Sequence, residues 1–169
     1  MRRAYAFAGT WTVEAPLSEV QATLVDLEHY PEWWPQVVAV ASLGPDDARV
    51  LARSALPYTL DLHLHAVRRE PSRLEVAISG DLDGAASWRL TEIGGHTRLD
   101  FRQDVTVDGW LALVSPALRP LLRWNHARMM AGCVAGLRDR LEVNGDLGSE
   151  DGPDQEAGPP DRPDHRDAG

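Results

Sequence analysis

The chain has 169 residues and a mass of 18.6 kDa, the size of one ordinary domain, which excludes a multidomain machine. Its 17 basic residues, all arginine, face 26 acidic ones for a net charge of -9, and they are scattered, so no basic stripe exists to hold a nucleic acid. The single cysteine, Cys133, rules out an internal disulfide, and no apolar run approaches the ~20 residues that a membrane-spanning helix needs.

In chain order, Tyr5, Phe7, Trp11 and Val13 fall on alternate positions, with Gly9 in register, and predict a strand with one apolar face. Gly9, Thr10 and Glu14 interrupt this stretch before a signal-peptide hydrophobic region forms, so a cytoplasmic location is expected. Ala15-Pro16 ends the strand. Ser18 and Gln21 have capping-box spacing, and Val20, Leu24 and Leu27 form a helical stripe that must stop before Pro31. Pro31 and Pro35 bracket Glu32-Trp33-Trp34, leaving room for a single turn, with one tryptophan buried and the other near an opening.

Six strands are predicted next, over 36–43, 47–55, 58–68, 73–80, 84–93 and 96–107, with Gly94-Gly95 as a hairpin turn. Leu60, Leu62 and Leu64 alternate with Asp61, His63 and His65, the pattern of antiparallel strands with one wet face. A last helix starts near Ser115-Pro116, kinks or restarts at Pro120, and carries the stripe Ala127, Met130, Val134, Leu137 and Leu141 before Asn144-Gly145 stops it. From residue 121 to 143 it is about 34 Å long at ~1.5 Å per residue, enough to cross a sheet.

Residues 144–169 hold 5 Gly, 4 Pro, 8 Asp or Glu, 2 Arg and no aromatic, so they are read as a disordered acidic tail following one domain over 1–143. The domain is then α+β: a curved antiparallel sheet of about seven strands around a long C-terminal helix, with two short helices after the first strand. A strongly curved sheet cannot touch the helix everywhere, which leaves space for a cavity.

This element order, together with Ala15-Pro16, the segment Asp26-Leu27-Glu28-His29-Tyr30-Pro31-Glu32-Trp33-Trp34-Pro35 and the long terminal helix, resembles the SRPBCC superfamily over about residues 4–143. That is the helix-grip fold of START, Bet v 1 and polyketide cyclase/dehydrase proteins. The resemblance implies a deep hydrophobic cavity between sheet and last helix. Strand parity assigns its walls to Leu60, Leu62, Leu64, Leu74, Val76, Ile78, Trp88, Leu90, Leu99 and Phe101, with Met130 on the helix side.

Asp61, His63 and His65 could share a metal, but the leucines between them own the inward face, so no metal site is expected. Cys133 and His126 lie seven residues apart on one helix, about 10 Å along its axis, too far for a thiolate–imidazole pair. His126 stands one turn before Met130 while Asn125 and Arg128 diverge from it; it is either a general acid or base at the cavity face or a structural histidine. Gln103 is the polar interruption of an inward pattern and either bonds to the helix or meets a ligand. Trp33, Trp34, Trp88 and Trp124 are candidate aromatic walls for a planar guest.

The leading expectation is a hydrophobic small-molecule site of Trp33, Trp34, Tyr58, Leu62, Trp88, Phe101, Gln103, Trp124 and Met130. In the enzymatic version, similar to a polyketide cyclase/dehydratase, His126 is the acid/base, Gln103 or Tyr58 the carbonyl partner, and no cofactor is needed. A lipid, isoprenoid or secondary-metabolite carrier and a protein-interaction domain using the acidic tail are the alternatives.

Overall fold

A computed structural model describes residues 3–53, 58–107 and 109–148, and within the last helix it describes the side chains of 119–143. β1 (Arg3–Val13) keeps the expected alternation and pairs along its whole length with β7 (His96–Val107), from Arg3 opposite Val107 to Val13 opposite Thr97. Between them in sequence lie β2 (Val37–Ser42), β3 (Asp47–Arg53), β4 (Thr59–Glu70), β5 (Arg73–Gly80) and β6 (Asp83–Ile93). All seven strands form one antiparallel sheet in the order β1-β7-β6-β5-β4-β3-β2, so β1 closes onto the last strand and leaves β2 as the far edge. Gly94 and Gly95 turn β6 into β7 at φ of +58° and +86°, a pair of left-handed positions that suits the twist of the flanking strands. Positions 54–55, the predicted end of the third strand, lie outside the described residues.

Two short helical elements join β1 to β2. α1 (Leu17–Val25) buries Val20 and Leu24, but it opens on Pro16 rather than on a serine cap: the Glu19 and Val20 amides donate to Pro16 O at 3.1 and 3.2 Å. Ser18 therefore lies inside the first turn, two positions past the cap that the expected capping box needs. A 3-10 turn (Leu27–His29) leads into α2 (Tyr30–Trp33), one turn with proline at its start. The Tyr30 hydroxyl donates to Leu24 O at 2.6 Å and ties this corner back to α1.

α3 runs from Gly109 to Gly148, longer at both ends than expected, and spans about 60 Å at ~1.5 Å per residue. Pro120 is solvent-exposed, and the helix runs on through it rather than restarting there. Gly145 weakens a helix by only ~1 kcal/mol, too little to end one by itself. The rest of the predicted tail, 149–169, lies outside the described residues. No helix among the described residues is long and apolar enough to cross a membrane.

The main core joins Val13, Val20, Leu24, Trp33, Leu90, Leu99, Cys133, Leu137 and Leu141 at the end of the sheet nearest the α1–α2 corner. Thr97, wholly buried there, donates its hydroxyl to Ala15 O at 2.8 Å and holds the exit of β1 against β7. Thr97→Val keeps the shape but strands that carbonyl. A loss of about 1–3 kcal/mol is expected, read from the urea midpoint.

Candidate ligand-binding cavity

At the other end, the sheet curves away from α3 and encloses a cavity of about 400 Å³. Its walls come from alternate residues of nearly every strand. β1 contributes Tyr5 and Phe7, β4 contributes Leu60, Leu62 and Leu64, β5 contributes Leu74, Val76 and Ile78, and β6 contributes Ala86 and Trp88. From β7 come Phe101, Gln103, Val105 and Val107, and Tyr30, Trp34 and Tyr58 complete the sheet-side rim. Leu90 and Leu99, also expected to point inward, do so but belong to the packed core.

α3 closes the space with Leu122, Asn125, His126, Met129 and Met130, a stripe with helical spacing. Its buried face continues through Cys133, Val134, Leu137 and Leu141. Met130, Val134, Leu137 and Leu141 hold the stripe read from sequence, but Ala127 is exposed, because Asn125 and His126 take the inward positions one turn before Met129 and Met130. Asn125 likewise departs from its expected place: it does not diverge from the cavity but lines it, at 6% exposure.

Of the ten predicted site residues, Trp34, Tyr58, Leu62, Trp88, Phe101, Gln103, His126 and Met130 are brought together on this cavity. Trp33 and Trp124 are not. Trp33 is the buried member of its pair, stacked on Trp34 at 6.0 Å between ring centres and packed into the core against α3. Trp124 is half exposed on the outer side of α3, where the Arg128 guanidinium lies 5.8 Å over its ring. One residue along a helix turns a side chain by ~100°, so Trp124 and His126 cannot share a face. Trp34 is held at the rim by its indole N–H, which donates to Met129 O at 3.1 Å.

His126 sits at the centre of the polar end. Its Nε2 lies 3.0 Å from Gln103 Oε1, so the expected helix partner for the buried amide is the imidazole itself. The ring stacks on Phe7 with centres 3.9 Å apart and planes 11° from parallel, and Phe101 follows at 6.0 Å. Burial against these apolar faces pushes the His126 pKa down to about 4, so the imidazole is neutral near pH 7. Since the amide oxygen accepts, Nε2 carries the proton and Nδ1 keeps a free lone pair. Burial also raises the Tyr58 hydroxyl and the Cys133 thiol, which keeps both protonated.

Phe7 and Tyr5 were legible in the alternation of β1, yet no sequence signal told that strand apart as a cavity wall. The outward trio behaves as parity predicts: Asp61 pairs with Arg49, while His63 and His65 meet Asp47 at 3.1 and 3.0 Å on the wet face. Arg53 donates to Thr59 on the exposed side.

A search of curated protein sequences finds no match. Among solved structures, a START superfamily protein from Mycobacterium smegmatis superposes with a TM-score of 0.68 at 16% identity, over 82% of this chain and 98% of that one. An aromatase/cyclase from a Streptomyces species gives 0.71 at 15% identity, over 84% and 96%. A di-domain aromatase/cyclase of the steffimycin biosynthetic pathway gives 0.65 at 14% identity, over 85% of this chain and 52% of that one. These similarities establish the START-type helix-grip fold. Residues 6–142 match the family described as "Polyketide cyclase / dehydrase and lipid transport", and the chain belongs to that family.

Proposed function

We propose that this protein binds a largely apolar small molecule between its sheet and α3, and that polyketide-like ring systems are within its range. The observation that carries this reading is the cavity: about 400 Å³, inside the range of ~300–1,000 Å³ typical of small-molecule sites, with apolar walls and one small polar cluster. Trp34, Trp88 and Phe101 offer flat surfaces to a planar guest. The buried, reduced Cys133 is consistent with a cytoplasmic setting.

The His126–Gln103 pair supports an enzymatic version in which a poly-β-ketone is folded and cyclised. His126 Nδ1 would take a proton from a carbon between two carbonyls, and that carbon would then attack a distant carbonyl carbon. The new alkoxide would take that proton back from the imidazolium, and the hydroxyl would then leave as water as the neighbouring carbon loses its second proton to the same imidazole. This chemistry draws on positioning and one base, without an organic cofactor or metal. A carrier reading is favoured by the depressed pKa of His126, since a conjugate acid near 4 makes a weak base.

Ala86 lies on the cavity wall, and Ala86→Phe fills the space with the smallest change to the sheet. Native mass spectrometry of the purified protein should find an apolar molecule with the parent chain and none with the variant. A guest retained at equal occupancy in both would end the proposal. His126→Ala and Gln103→Leu then separate the versions: turnover lost with affinity kept supports an enzyme, and no turnover in the parent supports a carrier.

A further inference from the structure

The polar end of the cavity has a chemical sign. Gln103 spends its oxygen on His126, which leaves His126 Nδ1 as an acceptor without a proton. Asn125, on the same stretch of α3, is 6% exposed and lines the cavity, and its Oδ1 accepts no hydrogen bond. A buried acceptor without a donor is unfavourable, so such an atom marks where a donor is missing. Its terminal amide torsion is soft, so Oδ1 can turn to meet a group arriving in the cavity.

Charge points the same way. No arginine lines the cavity among the described residues, and Glu75, which borders it, turns its carboxylate toward Arg68 and Arg73 on the wet face of the sheet. A carboxylate ligand would leave water to meet neutral amide and phenol donors and no cation, which is costly for a full charge in an apolar enclosure. A neutral O–H meets both requirements.

Resting on the reading that this cavity holds an apolar guest, we infer that its natural ligand class is neutral and hydroxylated, a phenol or enol whose O–H is donated to Asn125 Oδ1. Fatty-acid-like anions fall outside that class. Asn125 is then the residue that sets specificity, while the aromatic and leucine walls supply affinity with little discrimination.

Isothermal titration of the full chain with β-naphthol, its methyl ether and β-naphthoate tests this, because the three share one ring system and differ only in the polar group. β-Naphthol is expected to bind at least ~10-fold more tightly than the ether, about the worth of one hydrogen bond to a buried acceptor, with the naphthoate weakest. Asn125→Leu should bring β-naphthol down to the level of the ether and leave the ether unchanged. Its melting temperature should rise, because the unpaired acceptor is gone. Asn125→Ala decides in the same way should the leucine variant not fold. Equal binding of β-naphthol and the ether by the parent, tightest binding of the naphthoate, or a hydroxyl preference that survives at position 125 overturns the inference and leaves the cavity reading intact. If none of the three binds, the cavity reading falls and takes the inference with it.

Discussion

Gly136→Ala is expected to be among the most damaging single substitutions in this protein, lowering stability by about 3 kcal/mol, the upper end of what overpacking commonly costs. A methyl group there would stand 1.6 Å from the carbonyl oxygen of Trp33, so the backbone of the α2 corner and that of α3 cannot both stay in place. Ordinarily a helical glycine replaced by alanine gains ~1 kcal/mol, which makes the expected sign informative.

One turn earlier, Gly132 provides the control. Its added methyl would lie 2.3 Å from Gln36 Oε1, but that atom ends a flexible side chain and is itself a buried acceptor without a partner. Turning it aside sacrifices no bond, so Gly132→Ala should be near neutral. Urea unfolding of the two variants, compared at equal slope, makes the measurement. Similar losses at both positions would mean that the corner is not seated on α3 through Gly136. The effect should reach the cavity too, because Trp34 follows Trp33 directly and reaches Met129 from the same corner.

The second large effect is a dependence of stability on pH that belongs to His126. Unfolded, its imidazole titrates near 6.5; folded, burial lowers that to about 4. As pH falls through this window the unfolded chain takes up a proton that the folded chain refuses, so stability declines from pH 6.5 downward and levels off below about 4. Each pH unit is worth at most ~1.4 kcal/mol, and since the ring is only part-buried a total of about 2 kcal/mol is expected after allowing for solvent.

His126→Gln should flatten this part of the profile. Other groups act in the same range: the exposed His29 has a raised pKa beside Asp26 and contributes in the opposite direction, and Asp61 and Asp100, held low by their hydrogen bonds, lose their contribution only in stronger acid. These are common to both proteins and cancel in the difference. Thermal melts of parent and variant at half-unit steps from pH 7.5 to pH 4 provide it. Parallel curves would show that His126 is not buried neutral, and the tautomer argument for its Nδ1 would lose its basis.

Much of the architecture was legible because it is written in short-range periodicity. Alternation every second residue located β4, β5 and β7 with their faces, the double glycine located the last hairpin, and the tyrosine–proline–tryptophan corner carried the family resemblance. The inward leucines, Trp88, Phe101 and Gln103 followed from parity alone, since one strand residue on either side of a correct assignment decides which face it takes. The helix was harder. Parity has two outcomes, whereas a helix face is set by a continuous angle. The stripe through Met130, Val134, Leu137 and Leu141 was read correctly, but one turn before it Ala127 was placed inward and Asn125 turned away.

By itself, then, the amino-acid order determined the class of fold, the strands, the wet and dry faces of the sheet, Gln103 on an inward strand face and His126 at or beside the cavity face of the helix. Only tertiary structure decided that these two side chains meet, that Phe7 covers the imidazole, that Asn125 is enclosed without a donor, and that Trp33 packs while Trp34 lines. The reason is physical: local pattern fixes which way a side chain points from its own element, but contact, burial and the pKa that burial sets depend on how far the curved sheet stands from the helix, a distance summed over seven strands and the close seat at Gly136.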